Sequence, residues 1–270
     1  MNSTFLVRSK WSAWCLGGLM VAASGGLSAA ESNDASEQER HRQASLTEVW
    51  EPVPEMVEAP REGPPSDAIV LFNGENLDSW QNEQGEAAEW LIEDGAMTVA
   101  RGSGGIETRE SFCDVQLHVE WRAPEDTAGY EGQDRGNSGI FLQQRYEVQV
   151  LDSWHNPTYP NGQAASIYKQ HIPLVNASRE PGEWQSYDIV FTAPRFDDSG
   201  ELNSPANVTV LHNGVLVQNH VEIEGSTEWI GAPEYEAHGC APIFLQDHDA
   251  DVSYRNIWVR PLDSASEAES

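Results

Sequence analysis

The sequence predicts an all-β domain built as a two-sheet sandwich, and three observations carry that prediction. Between residues 67 and 263, short runs rich in branched and aromatic residues recur, each bounded by Gly, Pro, Asn or Asp, as strands joined by turns should be. Several runs alternate polar with apolar side chains, the two-residue period of a strand with one buried face. Sustained helical periodicity is almost absent. The region holds about 200 residues, a length one sandwich with a substantial core can occupy.

Taken in order, the chain opens with Arg8 and Lys10, an apolar run over 11–27, and the small residues Ser28, Ala29 and Ala30. This is the pattern of a secretory signal peptide over 1–30, cleaved near Ala30. Ser12, Gly17, Gly18 and Gly25 interrupt the run, which is short for a membrane span. Cys15 lacks the small residues that precede a lipid-modified cysteine. The expected location is periplasmic or secreted, with no membrane partner after cleavage. Residues 31–66 are rich in Glu, Pro and Ser, and Pro52, Pro54, Pro60, Pro64 and Pro65 exclude regular helix or central strand. They predict an acidic, partly disordered tether, with Trp50, Val53, Met56 and Val57 available as an extended arm.

Strands are expected at 68–72, 90–92, 97–100, 115–121, 140–150, 184–192, 207–212, 215–217, 243–246 and 252–260. The clearest hairpin turns at His212-Asn213-Gly214, where Asn-Gly supplies the positive φ angles of a tight turn. Segments 116–120 and 186–191 alternate as half-exposed strands do. Residues 264–270 read as a frayed tail. There is no Gly-rich phosphate loop, no paired-cysteine motif and no internal repeat.

Fifteen basic residues face 44 acidic ones, for a formal net charge of −29, and the signal peptide would remove two of the basic residues and none of the acidic. Phosphates would be repelled over most of such a surface, which argues against nucleic acid or an anionic membrane as partner. A salt-rich habitat and simple solubility outside the cell explain the charge equally well. Cys113 and Cys240 remain after cleavage, so one disulfide is possible in an oxidising compartment, although spacing does not show that they meet.

The stretch most suggestive of function is 136–152. Gly136 and Gly139 bound a turn; after it Glu147 and Gln149 point to one face of a strand while Tyr146, Val148 and Val150 point to the other. Polar side chains on one face of an otherwise apolar sheet suit a sugar-binding or sugar-cleaving cleft.

An ordered set of segments resembles one family, that of 3-keto-disaccharide hydrolases and 3-keto-glucoside lyases and hydratases, once described only as a domain of unknown function. The set begins with Leu71-Phe72-Asn73-Gly74 through Trp80, then Trp90-Leu91-Ile92-Glu93-Asp94-Gly95, Glu107-Thr108, and Phe112 on to Glu120-Trp121-Arg122. It continues with Gly136-Asn137-Ser138-Gly139-Ile140, Tyr146-Glu147-Val148-Gln149-Val150-Leu151-Asp152, Ile167-Tyr168 and Glu183-Trp184-Gln185. It closes with His212-Asn213-Gly214, Leu245-Gln246-Asp247-His248 and Tyr254-Arg255-Asn256-Ile257. Asp249 departs from the pattern, which carries Gly after the His.

The resemblance implies a concanavalin A-like jelly roll whose concave sheet receives a sugar, and chemistry on glycosides already oxidised at C3. The ketone acidifies the C2 proton. A base removes it, an enolate forms, the C1 substituent is expelled, and water adds to the resulting glucal. Glu147 is the first candidate for base or acid, with Asp152, His248 and Arg255 as further catalytic candidates; in a regular strand Asp152 faces away from Glu147 unless a bulge redirects it. Asn137, Ser138, Gln149, Tyr168, Lys169 and Gln246 are the candidate substrate-binding residues. Trp154, Trp184 and Trp229 are able to stack on a sugar, although core packing is the commoner role of Trp in a sandwich. Glu120 and Arg122 share a strand face and are expected to pair.

Asp247, Asp249 and Asp251 alternate like the start of a calcium loop, but Val252 stands at the Gly position and Trp258 at the final Glu, so no metal ligands are assigned there. A divalent ion elsewhere remains compatible with the chemistry. Two competing readings are an ordinary jelly-roll glycosidase, which requires two carboxyl groups at close, defined separation, and a carbohydrate-binding module without catalysis.

Overall fold

A computed structural model describes residues 27–61 and 63–262, so the expected signal peptide up to residue 26 and the tail after 262 lie outside the described residues. The chain divides into two compact units, Met1–Met56 and Val57–Ser270. The first contains a helix, α1 (Leu27–Ser45), where a disordered tether was expected. The prolines that forbid helix begin only at Pro52, and Glu37, Glu39, Arg40, Arg42, Gln43 and Ala44 are good helix formers. Glu39 and Arg42 pair along it at 2.7 Å, and Trp50, Val53 and Met56 beyond it are exposed. No helix among the described residues is long and apolar enough to cross a membrane.

The second unit is the sandwich. Its strands are β1 (Ile69–Phe72), β2 (Trp80–Asn82), β3 (Leu91–Glu93), β4 (Ala96–Thr98), β5 (Ile106–Thr108) and β6 (Val115–Arg122). Then come β7 (Ser138–Leu142), β8 (Tyr146–Val150), β9 (Gln185–Thr192), β10 (Arg195–Phe196), β11 (Leu202–Ser204) and β12 (Asn207–His212). The series ends with β13 (Val215–Glu222), β14 (Phe244–Leu245) and β15 (Ser253–Pro261). One antiparallel sheet of eight strands runs β13-β12-β9-β6-β15-β4-β3, with β1 also on β15; a second, of five, runs β2-β5-β14-β7-β8. Strands β10 and β11 form a separate two-stranded ribbon.

The core lies between the two main sheets. Alternate residues of β6 (Val115, Leu117, Val119, Trp121) and β9 (Tyr187, Ile189, Phe191) meet Ile140, Leu142, Tyr146, Val148 and Val150 from the β7–β8 hairpin. The alternation expected at 116–120 and 186–191 is therefore the inward and outward sets of two central strands. Asn213 and Gly214 turn β12 into β13 with φ of 52° and 76°.

One expected strand is divided. The run 140–150 is a hairpin, because Gln143 and Gln144 take φ of 51° and 59°. Glutamine carries no turn signal of its own, and tertiary contacts hold it there. Gln143 Nε2 donates to Phe112 O at 3.1 Å, and Gln144 Nε2 donates to the Glu107 carboxylate. Cys113 and Cys240 do meet, in a disulfide closing a sequence separation of 127 residues, beside the bridge between Phe112 and Ala241.

Candidate active site

The five-stranded sheet presents one row of side chains on the face turned away from the core. Across it, Gln81 lies opposite Glu107, Glu107 opposite Phe244, Phe244 opposite Phe141, and Phe141 opposite Glu147. Opposed residues of neighbouring strands share a face, so the register alone places Glu107 and Glu147 in one row, with Glu147 at its end and Glu107 next to Gln81 at the other. Gly139 opposes Gln149 in the next row towards Asn137.

A cavity of about 190 Å³ opens over the Glu147 end. The sheet and its turns contribute Asn137, Phe141, Glu147, Gln149 and Gln246; loops contribute Tyr168, Thr227, Trp229 and His248. The volume equals about six water molecules at liquid density, enough for a sugar ring.

Glu147 is 5% exposed, and burial pushes its carboxyl up to about 8. Removing a carboxylate from water penalises its charged form, and no cation among the described residues offsets that penalty. Its backbone is fixed from both sides: Glu147 N donates to Thr227 Oγ1 at 3.0 Å, and Tyr168 N donates to Glu147 O at 3.2 Å. The carboxyl lies so close to β7 that a Cβ on Gly139 would stand 2.6 Å from Oε1. The glycine is a space requirement here. Gln149 is satisfied best with its amide nitrogen towards Glu147 Oε1 at 3.0 Å and Ser138 O at 2.9 Å, an orientation set by the hydrogen-bond network.

Two other cavity groups are held by side-chain hydrogen bonds. Asn137 Nδ2 donates to Gln133 O at 2.7 Å. The Tyr168 hydroxyl bonds that of Tyr159 at 2.7 Å, and burial together with that bond raises its pKa, so it remains a protonated donor. His248 is exposed, and Trp229 projects with 73% of its surface in solvent. Segment 165–168 supports the floor by pairing along β8, where Ala165 N bonds Gln149 O and Gln149 N bonds Ser166 O.

Of the residues expected from sequence, the fold brings together Glu147, Gln149, Asn137, Tyr168, Gln246 and His248. Others lie elsewhere. Asp152 is turned from the cavity, as strand alternation implied, and its buried carboxylate forms an ion pair with Arg135 at 2.6 Å and caps Trp154 N at 3.0 Å. Arg255 belongs to β15 of the other sheet, where it binds Glu120 at 2.6 Å and stacks over Trp184 at 4.1 Å. Glu120 therefore pairs with Arg255 and not with Arg122, whose guanidinium lies over the Trp184 ring at 4.8 Å. Ser138 is fully buried; its Oγ joins Gln246 O at 2.6 Å and Tyr254 Oη at 2.7 Å, so it positions the Gln246 backbone and does not reach the cavity. Lys169 does not line the cavity, but its Nζ donates to the carbonyl of Trp229, which does.

The acidic loop after β14 is occupied by its own bonds. Asp247 Oδ2 accepts from Gly102 N at 2.7 Å and Gly104 N at 3.2 Å, while Asp251 pairs with Arg101 at 2.6 Å. Asp249, the departure from the family pattern, adopts φ of 58°, a conformation that glycine takes at no steric cost. Among the described residues no cluster of three or more His, Cys, Asp or Glu is placed to hold a metal ion.

Sequence reasoning missed Phe141 and Thr227 and ranked Trp229 with the packed tryptophans. Phe141 joins the site only through a register set by the Gln143-Gln144 turn. Thr227 carries no signal, whereas Trp229 had one: a Trp-Ile pair between Gly225 and Gly231 in a polar segment.

Comparison with known proteins agrees with this architecture. A crystal structure from Parabacteroides distasonis, of a protein classed provisionally as a glycosyl hydrolase, is 52% identical; the match covers 81% of this chain and 96% of that one, with a TM-score of 0.78. A second structure from the same organism, classed in the same way, is 20% identical over 73% of this chain and 94% of its own, with a TM-score of 0.54, and shows the shared fold. The curated 3-keto-disaccharide hydrolase of Bacteroides thetaiotaomicron is 25% identical over 252 residues, covering 72% of this chain and 78% of that protein. Residues 67–260, most of the sandwich and all of the cavity, match the model of one domain family, and the chain belongs to that family, the 3-keto-alpha-glucoside-1,2-lyase-like domains.

Proposed function

We propose that the chain is an exported carbohydrate-active enzyme that cleaves 3-keto-glycosides, with Glu147 as the base that removes the C2 proton. The observation that supports it best is a buried carboxyl with its pKa pushed up to about 8, on the floor of a cavity the size of one sugar ring. A base tuned to near the working pH combines a useful ionised fraction with strong proton affinity.

The steps balance on the groups present. Glu147 takes the C2 proton, and the electron pair moves onto the C3 oxygen as an enolate, to which the Tyr168 hydroxyl and the amides of Asn137 and Gln246 are available as donors. The enolate collapses, the C1–O bond breaks, and the departing oxygen takes a proton from His248 or solvent at the mouth. Water then adds across the C1–C2 double bond, and the net result is hydrolysis. The Cys113–Cys240 disulfide supports the export part of the reading, since such bonds persist in oxidising compartments.

The ordinary glycosidase reading is weakened by the same geometry. The other buried carboxylate of the row, Glu107, lies three strand spacings from Glu147, about 14 Å, beyond the ~5–9.5 Å that either glycosidase geometry uses. It is also held by Gln81 and Gln144. The deciding experiment measures product from a 3-keto-glucoside and from its unoxidised parent, with and without a chelator. Turnover of the oxidised sugar alone is expected; cleavage of the parent would replace this reading with the glycosidase, and binding without turnover would leave a lectin-like module.

A further inference from the structure

Gln149, which shares the strand face of Glu147, has a second glutamine as its partner, one that does not line the cavity. Gln133 belongs to a short 3-10 turn, Gly132–Asp134, and its side-chain amide is locked in one orientation. The nitrogen donates to Thr158 Oγ1 at 2.9 Å and to Gly162 O at 2.9 Å. A backbone carbonyl only accepts, so rotating this amide by half a turn would set oxygen against oxygen at Gly162. Gln133 Oε1 is therefore turned towards Gln149, 3.1 Å from the end of its amide.

The Gln149 amide is contested between two sides. Turned one way, its nitrogen meets Glu147 Oε1 at 3.0 Å and Ser138 O at 2.9 Å, but its oxygen then faces Gln133 Oε1 at 3.1 Å, acceptor against acceptor. Turned the other way, its nitrogen donates to Gln133 Oε1 at 3.1 Å and to Gly162 O at 3.4 Å, and its oxygen lies 3.0 Å from Glu147 Oε1. The first orientation suits an ionised Glu147, which only accepts. The second suits a protonated Glu147, whose O–H donates to the Gln149 oxygen. Gln133 favours the second, and the amide rotates without exchanging a proton of its own.

We infer that Gln133 is a positioning residue for the base: by competing for the Gln149 amide it withdraws a hydrogen bond from the ionised Glu147 carboxylate and so strengthens the hold of Glu147 on a proton. The inference rests on the proposed role of Glu147. Hydrogen bonds to the charged form weaken a carboxylate as a base, and burial alone strengthens it; Gln133 keeps the first effect small. The other titratable groups facing Glu147 are Tyr168 and Tyr254, whose hydroxyls burial keeps protonated, and His248, which lines the same cavity. Around Gln133, Asp134 is exposed, Arg135 is paired with Asp152 at 2.6 Å, and Tyr159 is bonded to Tyr168. A neutral substitution at position 133 changes the charge of none of them.

The test is the pH profile of kcat/KM on a 3-keto-glucoside for the full chain, for Gln133→Met, Gln149→Met and the double variant, and for Gln133→Glu. Beside it runs a carboxyl titration that needs no turnover, read from the 13C signal that Glu147→Gln removes. Methionine is close to glutamine in length and is only a weak acceptor. Gln133→Met frees the Gln149 amide to donate to Glu147, so both midpoints should fall by about one pH unit, the scale of one hydrogen bond gained by a carboxylate. Gln133→Glu, which keeps the acceptor, should not show the fall. On the Gln149→Met background, Gln133→Met should shift the midpoints by less than about 0.3 unit, because the link runs through Gln149. A Gln133→Met variant that loses kcat with both midpoints unmoved, or the full shift in the double variant, would overturn the inference. The failures are distinguishable: without turnover the proposed function falls, while the carboxyl titration alone upholds or overturns the link from Gln133 to Glu147.

Discussion

Glu147 is a buried carboxyl whose pKa burial pushes up to about 8, and the proposed chemistry rests on it. Glu147→Gln keeps the shape and the hydrogen bonds while removing the titration, so turnover should fall at least about a hundredfold with the fold intact; a variant of undiminished rate in a steady-state assay would refute its role. As a base it must be ionised, so kcat/KM of the wild type should rise with pH through about 8, and a profile that falls over that range would make it an acid. Gly139→Ala tests the same group through its surroundings: a Cβ 2.6 Å from Oε1 and 2.8 Å from the Phe141 ring must displace these two side chains, lowering kcat about tenfold or more and shifting the midpoint of the pH profile. Arg255→Met, on the other sheet, should leave kcat/KM within about threefold. At this scale the sequence was informative where strand alternation decides the outcome. It put Glu147 and Gln149 on one face and Asp152 on the other. It could not show that Arg255 and Glu120 would pair on the opposite sheet, since that depends on which strands become neighbours.

At the level of elements, the long central strands and the Asn213-Gly214 hairpin were legible because each carries its own pattern, whereas β2 and β5 were not, being three residues long and without alternation. The division of β7 from β8 escaped notice because a Gln-Gln turn is stabilised by Phe112 and Glu107, residues more than 30 positions away in sequence. Helix α1 escaped because its acidic, polar composition suggested disorder. The 225–234 loop is the element most open to a decisive change. Gly225 has φ of 152°, and a Cβ there would lie 2.5 Å from Glu234 N, so Gly225→Ala must pry the loop open at its base. The expected result is loss of most activity, because Thr227 and Trp229 move with the loop, alongside a modest fall in melting temperature. Full activity in that variant would show that the loop does not shape the site.

For the whole molecule, stability and pH are linked through two buried groups of opposite sign. Glu147 holds its proton more tightly folded than unfolded, from the ordinary 4.5 to about 8, so its stabilising contribution is complete below about 4.5 and is lost as pH rises through 8. His212 is pushed by burial from 6.5 to about 3, so its contribution is present above 6.5 and is lost as pH falls towards 3. Melting curves against pH should therefore decline on both sides, and Glu147→Gln should flatten the alkaline side by raising the melting temperature above pH 7; an unchanged alkaline limb would mean that Glu147 titrates normally. The disulfide acts at the same scale. Cys113→Ser should cost about 2–5 kcal/mol by freeing a long loop in the unfolded chain, measured by denaturant titration. The pairing of Lys169 with the Trp229 carbonyl has one more consequence. Among the described residues Lys169 is the one lysine, so a reagent selective for primary amines would mark them internally at one address, next to the mouth of the cavity, and the rate of that labelling would serve as a built-in gauge of whether the Trp229 loop is docked or released.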